Sequence, residues 1–189
     1  MSSERFRPSV TVAAVVEHDG RYLLVEEHTP EGLRLNNPAG HLEPGESPLQ
    51  GVVREALEET ACRFVPEALV GVYLARLRRA GTAVSARRPL RGGAAPRGDA
   101  AAFEAARRPA GEDVTYLRFA FCGTVGAPEA GRALDHGIVR TLWLTPREIE
   151  ASRERHRSPL LWQCVADHIA GRRYPLQLLS TDASVYAGG

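Results

Sequence analysis

Three glutamates within five residues carry the clearest chemical signal of the sequence. Glu55, Glu58 and Glu59 lie in a stretch, 47–60, whose apolar residues recur at helical spacing. Separated by three and four residues, their carboxylates share one helix face, where they repel one another and oppose the helix dipole. A hard divalent cation removes both penalties, because carboxylate oxygens are the ligands that Mg²⁺ and Mn²⁺ prefer. A solvated acidic face is the structural alternative.

Two more charged residues and a cap extend this pattern. Arg54 directly precedes Glu55 and is placed to brace one of the carboxylates. Glu46, eight residues before Arg54, begins the helix and is placed to bind the guanidinium. Ser47 and Pro48 are typical of an N-cap and of the first helical position. The helix is therefore predicted to start just after Glu46.

The joint spacing of these residues resembles the signature of the Nudix hydrolase family. That signature reads Gly-x5-Glu-x7-Arg-Glu-aliphatic-x-Glu-Glu-x-Gly, and the chain supplies it at Gly40, Glu46, Arg54, Glu55, Glu58 and Glu59. It departs at Ala61, where the family has glycine; alanine in a left-handed turn costs on the order of 1 kcal/mol. The strings Asn-Asn-Pro-Ala-Gly-His-Leu-Glu and Arg-Ser-Pro-Leu-Leu are similar to those of a bacterial phosphatase subgroup of this family.

This resemblance implies both a fold and an activity. The fold is an α+β Nudix fold, in which a mixed β-sheet is sandwiched between α-helices. The activity is Mg²⁺- or Mn²⁺-dependent release of phosphate from nucleoside di- and triphosphates or from hydroxymethylpyrimidine pyrophosphate. Hydrolysis of ADP-ribose or of the 5′ end of RNA is the alternative enzyme activity. A pseudo-enzyme is disfavoured, since the charged signature residues are all present.

The resemblance also implies roles for individual residues. The expected metal ligands are the side chains of Glu55, Glu58 and Glu59 and the carbonyl of Gly40. The expected catalytic set is Glu55, Glu58 and Arg54, with Glu46 in support. The sequence leaves open whether Glu55 or Glu58 accepts the proton of the attacking water. Asp135 precedes a predicted strand at a place where many relatives carry an acid.

Four residues are candidates for substrate contacts. His41 follows the signature glycine and is expected to meet a phosphate or a ring, although a loop histidine explains it equally well. Asn37, like its neighbour Asn36, is placed to hydrogen-bond a base, or else to form a turn. Arg34 and Arg118 are candidate phosphate clamps.

Periodicity and turn signals predict one α/β domain over residues 1–189. The predicted strands are 10–16, 21–27, 68–77, 114–125 and 138–144. Residues 28–46 are rich in Pro and Gly and are predicted to be a loop. After the helix at 47–60, Thr145-Pro146 opens a short helix, and a C-terminal helix is predicted at about 158–171.

The charge is distributed unevenly along the chain. The total is +1, from 24 basic residues, all of them Arg, and 23 acidic ones. From Arg76 to Arg108 there are nine Arg against two acids, a local charge of +7. This Arg-, Ala- and Gly-rich insert, at about 78–112, is predicted to form a mobile loop at 87–98 and a short helix at 99–108. It supports a nucleic-acid-binding module as an alternative function, but with Phe103 as its sole aromatic no nucleic-acid partner is expected.

Composition excludes several other classes. At 43% hydrophobic and 25% charged residues the chain is typical of a globular protein. No apolar run approaches the roughly 20 residues of a spanning helix, so no membrane partner is expected. The N-terminus lacks the apolar stretch of a signal peptide, and three scattered cysteines favour a cytoplasmic location. The expected partner is a small-molecule phosphate substrate, and the protein is expected to be a monomer or homodimer.

Overall fold

The computed structural model describes residues 6–77 and 113–187, so the predictions for 87–98 and 99–108 lie outside the described residues. The described strands are β1 (Ser9–His18), β2 (Arg21–Thr29), β3 (Gly32–Asn36), β4 (Ala39–His41), β5 (Phe64–Leu77), β6 (Val114–Val125) and β7 (Ile138–Leu144). The described α-helices are α1 (Pro48–Thr60), α2 (Pro146–Ala151) and α3 (Leu160–Ile169). Three 3₁₀ turns follow α2 and α3, at Arg153–Arg155, Leu176–Leu178 and Ala183–Val185.

The strands form one mixed sheet with β1 near its centre. The order is β3-β2-β1-β6-β5, with β4 paired to β1 and β7 to β2. On β1, Thr11 lies opposite His41 of antiparallel β4 and opposite Arg118 of parallel β6. The centre of the sheet therefore brings the segment before α1 and the start of β6 to the same place.

Each face of the sheet is covered by helix. On one face, Ala13, Val15 and Leu24 pack with Ile149 of α2 and with Leu161 and Cys164 of α3. On the other, Val12, Ala14 and Phe121 pack with Val52 and Ala56 of α1. The predicted α+β architecture, a mixed sheet between helices, is confirmed. Across the described residues, no helix is long and apolar enough to cross a membrane.

The prediction that residues 28–46 form a loop was wrong. This stretch contains β3 and β4, although it also holds Pro30, Pro38 and Pro44. Strand β3 pairs with β2 across a tight turn, and β4 exists because three of its residues pair with β1. Pairing partners outside the stretch thus outweigh local Pro and Gly content. The strands predicted at 114–125 and 138–144 were confirmed to the residue.

Helix α1 begins and ends with recognisable caps. The hydroxyl of Ser47 accepts a hydrogen bond from Gln50 N, and the Gln50 side chain accepts one from Ser47 N, which forms a capping box. The helix ends at Ala61, whose φ of 59° is left-handed and whose N–H donates to Leu57 O. The turn that the family makes with glycine is therefore made here by a strained alanine.

We expect Ala61→Gly to stabilise the protein. Relief of the left-handed penalty, about 1–2 kcal/mol, exceeds the methyl burial that is lost, about 0.8 kcal/mol. A net gain of this size raises Tm by about 2 °C for a chain of this length. Thermal unfolding measures the shift, with Ala166→Gly in the interior of α3 as the matched control, which is expected to lose about 1 kcal/mol. A lowered Tm for Ala61→Gly contradicts the prediction.

The C-terminal helix is confirmed, and a segment after it returns to the sheet. Helix α3 starts at Leu160, whose N–H is accepted by Ser158 Oγ at 3.3 Å, and Gly171 follows its end with a φ of 78°. Tyr174 and Leu69 of β5 then exchange two backbone hydrogen bonds of 2.9 and 2.8 Å. Leu176, two residues on, packs against the core under α1.

We expect stability to fall in mild acid through His168. Its ring contacts Tyr22 Oη at 2.8 Å through Nδ1 and the Arg173 guanidinium through Nε2. Burial, then the charge of Arg173, lowers the pKa of His168 to about 4 against a smaller opposing effect of Glu17. Because the folded state holds this histidine neutral, its stabilisation is complete above the unfolded pKa of about 6.5 and is lost as pH falls toward 4.

Urea unfolding of wild type and His168→Gln between pH 7.5 and 4 measures this effect. The free energy of unfolding of the wild type should exceed that of His168→Gln by a constant amount above pH 7, and this difference should shrink as the pH falls toward 4. A difference that does not change with pH contradicts the assignment.

Candidate active site

One guanidinium joins the acidic residues around α1. Arg54 Nε and Nη2 donate to the two oxygens of Glu46, at 3.0 and 2.7 Å. Arg54 Nη1 donates to Glu55 Oε1 at 2.8 Å and to Glu58 Oε2 at 3.0 Å. Nη2 also reaches the carbonyl of His41 at 3.0 Å. A single side chain therefore links three carboxylates and the end of β4, which is the bracing that the sequence predicted for Arg54.

The Arg54–Glu46 pair is firmly ionised. Burial alone would raise the pKa of Glu46, but the hydrogen bonds and charge of Arg54 and the backbone N–H of Glu43 together outweigh it and hold that pKa below its ordinary value. Burial alone would likewise lower the pKa of Arg54, yet Glu46 and Glu55 together raise it. The bidentate geometry fixes the guanidinium in place. Arg54 is thus a permanent cation with a set orientation.

Two carboxylates on α1 are buried with too little positive charge nearby. Glu55 and Glu59 are each 8% exposed and are one helical turn apart. Burial raises the pKa of Glu55 to about 7; Glu58 and Asp135 add to this and Arg54 opposes it. Burial, with the charges of Glu55 and Asp135, raises the pKa of Glu59 well above its ordinary value. Each group would ionise more readily if a cation were added beside it.

The backbone of β4 lies directly against these carboxylates. Ala39 N donates to Glu59 Oε2 at 2.8 Å. A Cβ added to Gly40 would lie 2.1 Å from Glu55 Oε1, which is closer than real atoms approach. A side chain at position 40 would therefore displace the Glu55 carboxylate, which is the group that glycine leaves room for.

The donor chemistry of this cluster suits a hard divalent cation. Within residues 6–77 and 113–187, no group of three or more His, Cys, Asp or Glu side chains is arranged to hold a metal ion. The Arg54 guanidinium instead bonds to both Glu55 and Glu58. The fit rests on Glu55 and Glu59, two buried carboxylates that lie against the backbone of β4, with the charge of Glu55 adding to the proton affinity of Glu59.

The structure brings Arg118, a predicted substrate residue, into electrostatic contact with this cluster. Arg118 is buried at 7% exposure, and its charge acts on Glu59. Within the described part of the chain, its Nε and Nη1 atoms are buried without hydrogen-bond partners. Thr11 of β1 lies opposite Arg118, and its buried hydroxyl likewise has no hydrogen-bond partner among the described residues. A guanidinium with unpartnered donors, within electrostatic reach of Glu59, is suited to an anionic or acceptor-rich ligand.

The other predicted substrate residues lie on β3, on β4 and between these two strands. His41 lies at the end of β4, with its ring centroid 6.3 Å from that of Tyr116. Asn37 is 1% exposed, and both polar atoms of its amide lack partners among the described residues. Arg34 lies on β3 opposite Glu27 and donates to the carbonyl of Leu33 at 3.1 Å. Arg34 is therefore not joined to the Arg54 network by any hydrogen bond that the structure describes.

Sequence reasoning missed a pair of buried glutamates on β2. Glu26 and Glu27 are 3% and 6% exposed and form ion pairs with arginines far along the chain. The available signal was two consecutive acids inside an otherwise apolar strand. Asp135, in contrast, precedes β7 as predicted, and its N–H donates to Glu58 O at 2.9 Å.

Comparison with known proteins finds relatives along most of the chain. Residues 5–163 match the family model of the NUDIX domain. The phosphatase NudJ of Escherichia coli K12 is 26% identical over 92% of this chain and 92% of its own length. A NUDIX hydrolase structure from Nitrosomonas europaea is 43% identical, with a TM-score of 0.69, and covers 93% of this chain and 98% of its own. The structure of a MutT NUDIX hydrolase from Burkholderia pseudomallei is 15% identical, with a TM-score of 0.56, and covers 86% of this chain and 98% of its own. At this identity the similarity shows the fold alone.

Proposed function

Since the chain belongs to the Nudix hydrolase family and is a phosphohydrolase, we propose that it releases phosphate from nucleoside di- and triphosphates or from hydroxymethylpyrimidine pyrophosphate with the help of a divalent cation. The observation that carries this proposal is the Arg54 network, which presents Glu55 and Glu58 beside the buried Glu59. The similarity to the phosphatase NudJ supports this class of substrate.

The metal would be Mg²⁺ or Mn²⁺, held by Glu55, Glu58, Glu59 and the carbonyl of Gly40. Bound there, it would neutralise phosphate charge and make a nearby water more acidic. Arg54 holds the carboxylates of Glu55 and Glu58 in fixed positions, and Glu46 holds Arg54.

The same carboxylates would handle the proton of the attacking water. Glu55 or Glu58 takes that proton. In the metal-free protein the raised pKa of Glu55, about 7, leaves it able to gain or lose a proton near neutral pH. Glu58 is more exposed, with 38% of its side chain open to solvent, so water reaches it directly.

Substrate contacts come from the residues around this centre. Arg118 offers two donor nitrogens, Nε and Nη1, that no described residue uses, to a phosphate or a ring acceptor. His41 and Asn37 flank Gly40 in sequence and would meet the part of the substrate next to the scissile phosphate. Arg34, farther along β3, would clamp the distal part.

The proposal is tested by measuring phosphate release from a panel with and without Mg²⁺. The panel contains nucleoside di- and triphosphates, hydroxymethylpyrimidine pyrophosphate, ADP-ribose and 5′-triphosphorylated RNA. Metal-dependent release from the first two groups is expected, and the product, orthophosphate or pyrophosphate, identifies the bond that is cleaved. Turnover confined to ADP-ribose or RNA contradicts the proposed substrate class, and turnover that is unaffected by chelation contradicts the role of the metal.

A further inference from the structure

Glu27 has a buried carboxylate oxygen to which none of the described residues donates a hydrogen bond. Its neighbour Glu26 uses both oxygens, since Oε2 accepts from Arg140 Nε at 2.7 Å and Oε1 accepts from Arg155. Glu27 Oε2 accepts from Arg157, but Oε1 is buried and accepts no hydrogen bond from any described residue. A buried charged acceptor without a donor is costly, so this oxygen has the capacity to accept a hydrogen bond from a ligand.

A second acceptor lies on the same face of the sheet. Strand β3 pairs with β2 so that Asn36 is opposite Val25 and Arg34 is opposite Glu27. Because alternate residues of a strand point to one face, the side chains of Glu27 and Asn36 are diagonal neighbours there. Asn36 Oδ1 is also buried and accepts nothing from the described part of the chain. Two acceptor oxygens thus share one small area of the sheet.

This area adjoins the candidate active site through a short loop. Asp135 N donates to Glu58 O of α1 at 2.9 Å, and Gly137 O accepts from His28 N of β2 at 2.8 Å. Three consecutive residues therefore connect the acidic end of α1 to the residue after Glu27, so the two backbones are on the order of 10 Å apart. Asn36 is also only four residues before Gly40. One small molecule with a phosphate at one end and a ring at the other can span both places.

We propose that Glu27 and Asn36 bind an exocyclic amino group on the ring of the substrate, which makes Glu27 a specificity-determining residue. An amino group offers two N–H donors, whereas an ionised carboxylate only accepts hydrogen bonds. A keto oxygen in the same place would face two acceptors and be repelled, so ring systems that carry a keto group there are rejected. Arg157 is the positioning residue, because it holds the second oxygen of Glu27. This inference rests on the proposed function and narrows its substrates to amino-bearing nucleotides and aminopyrimidine diphosphates.

Matched substrates that differ at one ring substituent test the inference. We would measure kcat/KM with Mg²⁺ for CTP against UTP and for ATP against ITP. The wild type is expected to favour the amino-bearing member of each pair by at least ~10-fold, as expected for a site whose buried polar atoms need a partner. Glu27→Gln should reduce that ratio to about 3 or less, because its amide N–H can donate to a keto oxygen.

Glu26→Gln is the matched control, since it removes a buried charge at the next position but both oxygens of Glu26 are already used by arginines. It should keep the wild-type ratio. Asn36→Ser is a second variant, expected to reduce the ratio even if Glu27→Gln does not fold.

The outcomes separate this inference from the proposed function. Equal kcat/KM within both pairs for the wild type overturns the inference and leaves the proposed function in place. An unchanged ratio in folded Glu27→Gln also overturns it, and so does an unchanged ratio in Asn36→Ser. Absence of metal-dependent release from all four nucleotides and from hydroxymethylpyrimidine pyrophosphate overturns both.

Discussion

Glu59→Gln is expected to lower kcat by on the order of 10²-fold or more while the fold is retained. Glutamine has the shape of glutamate and keeps an oxygen that can accept from Ala39 N, the partner of Glu59 Oε2 at 2.8 Å. What it loses is the negative charge, which in this position has value chiefly as a ligand for a cation. The structural contact and the proposed metal-binding role are therefore separated by one substitution.

The same substitution should change stability in the opposite direction. Burial raises the pKa of Glu59 well above its ordinary value, so ionising it costs folding free energy in the metal-free protein. Without metal, Glu59→Gln should therefore be as stable as the wild type or more so at pH 8. With Mg²⁺, the wild type should gain Tm and the variant should gain much less.

Steady-state turnover at several Mg²⁺ concentrations, together with thermal unfolding with and without Mg²⁺, measures both effects. Glu150→Gln, on the exposed side of α2, is the control for removal of a glutamate charge from a helix and should behave like the wild type. Unchanged turnover in Glu59→Gln would contradict the assignment of Glu59 as a metal ligand.

Gly40→Ala is the second change with a large expected effect. The added Cβ would lie 2.1 Å from Glu55 Oε1, so one of the two must move. The end of the Glu55 side chain moves more easily than the backbone of β4, which is paired to β1. The carboxylate should therefore swing away from Arg54 Nη1, its partner at 2.8 Å. Displacement of a reacting group by about 1 Å costs on the order of 10²-fold in rate, and we expect a loss of kcat of at least that size.

The stability of Gly40→Ala should change less than its activity, since only the end of one side chain is displaced. Gly126→Ala is the matched control, because a Cβ there meets nothing within 4 Å among the described residues. It should leave both kcat and Tm unchanged. Wild-type turnover in Gly40→Ala would contradict the close placement of Gly40 against Glu55.

Local pattern was sufficient for the helix that carries the acidic residues. Ser47, Pro48 and the apolar spacing predicted where α1 starts, and the structure adds the reciprocal bond to Gln50. The spacing of Arg54 and Glu46 likewise predicted their contact, because residues before a helix cap lie next to its second turn. These features depend on neighbours within one or two turns, and sequence reasoning handles such neighbours well.

Features that depend on long-range pairing could not be predicted from the sequence. Strand β4 is three residues long and forms only because β1, nearly thirty positions earlier, supplies its partners. The ion pair between Glu27 and Arg157 joins residues 130 positions apart, and no periodicity within either segment indicates it. The burial of Arg118 could not be predicted from the sequence either, since an arginine in a strand usually reaches solvent. Each of these features is set by the sheet topology, which the local signals did not determine.

The backbone bonds between Tyr174 and Leu69 have a consequence for solubility. Strand β5 is at the border of the sheet, and an open border strand invites pairing with another molecule. Tyr174, in the chain after α3, hydrogen-bonds to the backbone N–H and C=O groups of Leu69 on β5. Leu176 then packs against the core cluster beneath α1 and so holds this segment against the sheet. The segment after Gly171 thus blocks edge-to-edge pairing of β5 at Leu69.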